Sequence, residues 1–179
     1  MQHRLFVGID PPAAIKAQLI GLMGGVGGAR WQSEAQLHLT LRFIGEVDTH
    51  QANDIAEVLT GLRHPAFQLA LDGVGMFDRR GIPNALWVGV RPHDAVTALH
   101  HKVNQALLRA AVEPERRAYL PHITIARFGR SAGPVDAFIR TNGGVGSAPF
   151  RVDDLCLYES QLTADGSVYT IVERYPLNA

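Results

Sequence analysis

The chain has 179 residues, a length typical of one domain or of two small lobes that share a core, so a multidomain assembly is excluded. Hydrophobic residues make up 46% and charged residues 19%, which is typical of a folded globular protein rather than a disordered or fibrous one. The 17 basic residues balance the 17 acidic ones, so no global field favours nonspecific adhesion to nucleic acid or membranes, and a local site would have to hold any anionic substrate.

In chain order, hydrophobic periodicity and turn signals predict a strand at 5–9, a helix at 13–23, a strand at 37–45, a helix at 48–62, strands at 67–77 and 85–90, a helix at 94–111, a strand at 123–128, a short helix at 134–139, and strands at 150–158 and 168–175. Turns at 79–84 and at Asp165-Gly166 join neighbouring strands into hairpins, which excludes a purely parallel sheet. The interleaved helices and hairpins predict an α+β fold.

A single cysteine, Cys156, excludes an intramolecular disulfide and a cysteine-based zinc site, because both need cysteines in pairs. It lies in an apolar strand and is expected to be a buried, inert thiol. The first apolar run breaks at Asp10-Pro11-Pro12, too early for a signal peptide, and no stretch reaches the ~18 apolar residues of a membrane span. We expect a cytoplasmic protein with no membrane partner.

Two segments of the chain resemble each other: His-Leu-Thr-Leu-Arg-Phe from His38 and His-Ile-Thr-Ile-Ala-Arg-Phe from His122, which lie 84 residues apart. Two His-x-Thr triplets alone would be only mildly surprising. Leu or Ile at all four intervening positions has a chance of roughly one in a thousand for this composition. The two segments are therefore interpreted as a duplication within the chain.

Alternation along a strand puts each His and the Thr two residues later on the same face. Thr40 accompanies His38, and Thr124 accompanies His122. Two such strands facing one groove would offer two imidazoles for acid and base work and two hydroxyl donors for phosphate oxygens. This set favours in-line displacement at phosphorus without a metal ion. The alternative, two histidines satisfied in the core, is less favoured because the whole motif is repeated.

A metal site is not favoured, because neither motif contains a carboxylate and threonine is a poor ligand. Three further histidines, His93, His100 and His101, lie on or beside the helix predicted at 94–111 without the i, i+4 spacing of a metal-binding pair. They are expected to lie on a solvated surface. We expect no cofactor.

At these motifs the sequence resembles the 2H phosphoesterase family, and within it the RNA 2′,3′-cyclic phosphodiesterases related to 2′-5′ RNA ligases. The resemblance spans almost the whole chain, from Arg4-Leu5-Phe6-Val7 through Tyr119-Leu120-Pro121 to Leu157-Tyr158-Glu159-Ser160. It implies a bilobal duplicated α+β fold: two antiparallel sheets with outer helices, related by a pseudo-two-fold, and an active groove between the lobes. The chain, residues 1–179, would be a single domain of two intertwined lobes, each contributing one motif.

The resemblance also implies roles for the motif residues. His38 would be the proton donor to the leaving oxygen and His122 the proton acceptor that activates water, although the symmetric pair itself supports either assignment. The expected partners are RNA ends or small cyclic-phosphate nucleotides, the product is a 2′-phosphate, and weak 2′-5′ ligation is an accessory reaction. We expect a monomer.

The two motifs differ in the spacing of their aromatic residue, because Phe43 follows His38 by five residues and Phe128 follows His122 by six. The second strand is therefore predicted to bulge or end near Ala126, which would turn Arg127 toward the phosphate. Further candidate substrate contacts are Arg42, Phe43, Tyr119 and Arg130, with Phe43 or Tyr119 placed to stack on a base.

Three other functions remain open at this point. The substrate could be a small cyclic phosphate such as ADP-ribose 1″,2″-cyclic phosphate, with the same chemistry. The groove could bind RNA ends without turnover. The chain could also be a purely structural α+β domain, which would bind no 2′-AMP.

Overall fold

The computed structural model describes residues 1–178, which form nine strands and four α-helices. The strands are β1 (Gln2–Ile9), β2 (Ala29–Trp31), β3 (Leu39–Asp48), β4 (Phe67–Arg79), β5 (Ile82–Arg91), β6 (His122–Phe128), β7 (Phe150–Val152), β8 (Asp154–Thr163) and β9 (Gly166–Pro176). The helices are α1 (Ala13–Leu22), α2 (Thr49–Thr60), α3 (His93–Leu108) and α4 (Asp136–Asn142). The fold is α+β, as the sequence predicts.

The strands pair antiparallel in the order β7-β4-β5-β6-β3-β1-β8-β9, and β2 pairs with β6 beside this path. The sequence-based expectation of two separate sheets is corrected by the pairing of β3 with β6. These two strands meet through a single pair, Leu39 with Ile123, and then run in opposite directions. The same register places His38 beside Thr124 and Thr40 beside His122.

The predicted helices and hairpins are present, with boundaries that shift by a few residues. Asp48 caps α2 by accepting a hydrogen bond from the Gln51 N–H at 2.8 Å. The strand predicted at 150–158 is in fact two strands, because the chain changes partner at Asp153. β7 pairs with β4, whereas β8 pairs with β1 on the far side of the β3–β6 junction. β2 was not predicted.

One large cluster of buried apolar side chains contains residues from all four helices, including Leu19, Leu59, Leu99 and Phe138. A smaller cluster joins Phe6, Cys156 and Tyr158, with Tyr169 packed against it. Cys156 is fully buried, and burial raises the pKa of its thiol to about 11, so it is the inert thiol that was predicted. No helix within residues 1–178 is both long and apolar enough to cross a membrane.

Candidate active site

A groove of about 730 Å³ lies where β3 and β6 meet, and all four motif side chains line it. The other lining residues are Arg30, Leu41, Arg42, Phe43, Phe77, Asn84, Ala85, His100, Glu115, Arg117, Ala118, Tyr119, Leu120, Arg127 and Phe128. The structure therefore brings His38, Thr40, His122 and Thr124 to one surface. No group of three His, Cys, Asp or Glu side chains is placed to hold a metal ion in the part of the chain that the structure describes.

The His38 ring is fixed in one tautomer by its surroundings. Its Nδ1 lies 2.7 Å from the Gln36 carbonyl oxygen, which can only accept, so Nδ1 carries the hydrogen. Its Nε2 therefore accepts the Thr40 hydroxyl, 2.9 Å away, and is the basic atom of the neutral ring. Phe6 and Tyr169 enclose the ring, with centroids 4.7 and 5.1 Å away.

This enclosure makes protonation of His38 unfavourable. Burial lowers the pKa of His38 to about 4, with smaller contributions from the positive charges of Arg127, His122 and Lys16. The hydrogen bond to the Gln36 carbonyl opposes the shift but does not offset it. The free protein therefore holds His38 neutral at pH 7.

His122 repeats the same arrangement. Its Nδ1 donates to the Leu120 carbonyl oxygen at 2.7 Å, and Leu120, like Gln36, lies two residues before its histidine. Phe77 meets the ring edge-on at 4.9 Å. Burial first, and then the charge of Arg127, lowers the pKa of His122, against the Leu120 hydrogen bond. Both rings thus keep hydrogen on Nδ1 and leave Nε2 for the groove.

Both motif strands bulge at the residue after the threonine. In β6, Thr124 and Ala126 face the consecutive residues Trp87 and Leu86 of β5, so Ile125 is extra. This confirms the bulge predicted near Ala126. Since Ile125 and Ala126 are both buried, the exposed Arg127 returns to the face of His122 and Thr124.

The bulge in β3 was not predicted. Thr40 and Arg42 face Gly8 and Val7 of β1, so Leu41 is the extra residue, at the position that matches Ile125. Phe43 consequently takes the place in β3 that Arg127 takes in β6. It is 47% exposed, lines the groove, and has the Arg4 guanidinium 5.3 Å from its ring centroid.

Arg42 lies at an even offset from His38 and Thr40, but the bulge removes it from their face. Its side chain is 7% exposed and donates to Asn104 Oδ1 at 2.7 Å and to the carbonyl oxygens of Phe43 and Glu113. The guanidinium of this candidate substrate contact is thus committed to protein acceptors, and Arg42 lines the groove as a buried part of its wall. Burial lowers the pKa of Arg42.

His100 is also placed differently from the prediction. It is 5% exposed, not on a solvated surface, because it lies on the α3 face that packs against β3. Its Nδ1 donates to the Leu41 carbonyl oxygen at 2.7 Å, and its Nε2 accepts from Asn104 Nδ2 at 3.1 Å. Tyr119 stacks on this ring at 3.9 Å and donates its hydroxyl to the Thr40 carbonyl oxygen at 2.9 Å. Thus one face of the Tyr119 ring is already occupied.

Arg30 and Arg130 differ from expectation in their relation to the groove. Arg30 was missed; it lies on the unpredicted β2, where it is the cross-strand partner of Arg127, and it lines the groove. Arg130 was a candidate contact, but it lies beyond the end of β6 and is not among the residues that line the groove.

These features define an α+β protein with an antiparallel sheet and a groove that presents two His-x-Thr pairs. The chain belongs to the 2′-5′ RNA ligase superfamily, whose family model matches residues 25–164. It is 32% identical to the RNA 2′,3′-cyclic phosphodiesterase of Thermotoga maritima, over 94% of this chain and 92% of that protein. It is 28% identical to the Escherichia coli protein of the same name, over 98% of this chain and 97% of that one.

Solved structures agree with this membership. The crystal structure of Escherichia coli LigT with 3′-AMP superposes with a TM-score of 0.81 at 27% identity, covering 100% of both chains. A crystal structure described as a phosphoesterase superposes with a TM-score of 0.82 at 26% identity, also covering 100% of both chains.

Proposed function

We propose that this protein hydrolyses 2′,3′-cyclic phosphates on RNA ends and small nucleotides to 2′-phosphates. One observation carries the proposal: two histidines, each with Nδ1 bound to the carbonyl two residues earlier, line one groove together with two threonine hydroxyls. The names of the relatives and the 3′-AMP bound by Escherichia coli LigT support the same substrate class.

We further propose that the chain is a single domain of two intertwined lobes related by a pseudo-two-fold. The strand order supports this, since the two motif strands, β6 and β3, are neighbours at its centre and each has three further strands outside it. These are β5, β4 and β7 on one side and β1, β8 and β9 on the other. The matched bulges at Leu41 and Ile125 support it as well. So does the crossing of β7 and β8 to opposite halves, which intertwines the two lobes.

In the proposed mechanism, water attacks phosphorus opposite the 3′ oxygen. Nε2 of His122 takes the proton from the water as the new P–O bond forms, and Nε2–H of His38 gives a proton to the 3′ oxygen as the P–O3′ bond breaks. The hydroxyls of Thr40 and Thr124 and the guanidinium of Arg127 donate to the non-bridging oxygens. The products are a free 3′-hydroxyl and a 2′-phosphate, and no metal ion takes part.

To act as the proton donor, the His38 ring must become protonated when substrate binds. In the free protein its pKa is about 4, which leaves the ring neutral at pH 7. A phosphate anion beside Nε2 favours the charged ring, so binding raises the pKa of His38 and brings the proton in with the substrate. A 5′-hydroxyl in place of water would give the weak 2′-5′ ligation.

The test uses purified protein and a nucleoside 2′,3′-cyclic phosphate, with and without EDTA. His38→Asn and His122→Asn should each lower kcat by about 10²–10⁴-fold. EDTA should have no effect. A substrate with sulfur in place of the 3′ oxygen needs no proton on its leaving group, so it should restore the His38→Asn variant and not the His122→Asn variant. Rescue of the other variant would reverse the two roles.

Binding of 2′-AMP and a comparison of substrates separate the alternatives. Tight binding of 2′-AMP without turnover at any pH would make the groove an RNA-end binding site, and no binding would leave a structural domain. Higher kcat/KM on ADP-ribose 1″,2″-cyclic phosphate than on nucleotide or oligonucleotide substrates would change the substrate class. The monomeric state and the cytoplasmic location remain predictions.

A further inference from the structure

Two arginine side chains lie directly opposite each other at one end of the groove. Arg30 of β2 and Arg127 of β6 are paired residues in an antiparallel ladder. Both are exposed, and neither has a carboxylate partner among residues 1–178. Like charges at directly opposed positions destabilise a sheet, so an anion bound between the two guanidiniums would offset their repulsion.

Both guanidiniums face the groove rather than the core. On β2 the neighbours of Arg30, Ala29 and Trp31, pack against the main apolar cluster, so Arg30 points to the opposite side. On β6 the bulge at Ile125 returns Arg127 to the face of Thr124. The next residue across, Ala85 of β5, is small and leaves room beside Arg127.

The position of this pair differs from that of the reacting phosphate. The bulge puts Arg127 two same-face positions from His122 with Thr124 between, and successive same-face positions lie about 7 Å apart. Arg30 lies one strand further out, about 5 Å across the sheet. Arg127 is therefore the arginine nearer the reacting phosphate, and Arg30 is left for an anionic group farther along the groove.

We propose that Arg30, with Arg127 shared between the two positions, forms a second anion subsite that binds the phosphate on the 5′ side of the terminal nucleotide. The inference rests on the proposed function, since the first phosphate is the cyclic one. Guanidinium is the side chain best suited to bind a phosphodiester in two-point fashion. The subsite makes an RNA end, or a 5′-phosphorylated nucleotide, a better substrate than a nucleoside 2′,3′-cyclic phosphate.

The experiment compares adenosine 2′,3′-cyclic phosphate with the same molecule carrying a 5′-phosphate. The wild type should show about 10- to 100-fold higher kcat/KM for the 5′-phosphorylated substrate. Arg30→Met, which keeps most of the apolar stem, should lose most of this gain and change kcat/KM on the plain substrate by less than about threefold. Arg151→Met, on the distant strand β7, is the matched control and should keep the gain in full.

Binding distinguishes failure of this inference from failure of the proposed function. Calorimetry with adenosine 2′-phosphate and adenosine 2′,5′-bisphosphate measures the same 5′-phosphate increment without turnover, and added salt should reduce that increment. A protein that hydrolyses neither substrate yet keeps an Arg30-dependent increment loses only the proposed function. The subsite is overturned if the increment is absent from the wild type, survives Arg30→Met, or disappears in Arg117→Met, which changes another arginine that lines the groove.

Discussion

Burial of a neutral His38 should make the protein lose stability as the pH falls. The pKa of His38 is about 4 in the folded protein and about 6.5, the value of an unperturbed histidine, when unfolded, so the unfolded chain binds more protons between these values. The stabilisation is complete above pH 6.5 and is lost as the pH falls toward 4. At 1.36 kcal/mol per unit, the shift corresponds to about 3 kcal/mol of unfolding free energy.

The perturbation that isolates this contribution is His38→Asn, since an amide can still donate to the Gln36 carbonyl but has no proton to bind. Urea unfolding of both proteins between about pH 7.5 and about pH 4.5 gives the difference in unfolding free energy. The wild type should lose about 2–3 kcal/mol more than the variant over this range. NMR titration of the His38 ring reads the same pKa directly. Parallel stability curves, or a His38 ring that titrates near 6.5, would refute the burial argument.

Three further outcomes are expected. Burial lowers the pKa of both His38 and His122, so a plot of kcat/KM against pH should be bell-shaped with its optimum below pH 6.5. A basic limb centred above pH 6.5 would contradict the lowering of both pKa values by burial. Tyr119→Phe keeps the stacked ring but removes the hydrogen bond to the Thr40 carbonyl, so urea unfolding should show a loss of about 1–2 kcal/mol of unfolding free energy. The kcat should also fall while KM stays nearly unchanged. An unchanged kcat would show that this hydrogen bond does not position the motif. Gly75→Ala would drive its Cβ into the Trp87 ring and should cost about 1–3 kcal/mol by thermal unfolding. Gly21→Ala, with nothing within 4 Å of the added Cβ, should cost nothing; equal effects would argue against crowding.

The sequence pattern alone predicts the elements whose structure depends on local interactions. The helix beginning at Thr49 follows from its cap and apolar spacing, and the final hairpin follows from its turn at Asp165-Gly166. The bulge at Ile125 was also predictable, because the spacing of Phe128 breaks strict alternation. The matching bulge at Leu41 was missed, since the two motifs were aligned by their phenylalanines. The structure instead matches Phe43 with Arg127.

Features that depend on a distant partner were not predictable in the same way. The division of 150–158 into β7 and β8 reflects pairing with β4 and β1, two strands from different parts of the chain. Arg30 lies on a strand of three residues, too short to show alternation. His100 did leave a signal, because it falls beside Leu99 on the apolar stripe of α3, where a solvated histidine is not expected.

At both bulges the carbonyl of the extra residue accepts a hydrogen bond from outside the paired strands, but the donors differ. Each bulge residue has a carbonyl that the ladder does not fully occupy: that of Ile125 accepts from the main-chain N–H of Gln32 at 2.9 Å, and that of Leu41 accepts from the His100 side chain at 2.7 Å. A main-chain donor survives any substitution except proline, whereas a side-chain donor is lost with its residue. Substitution of His100 should therefore loosen the His38 motif and leave the His122 motif in place, so the two motifs can change independently.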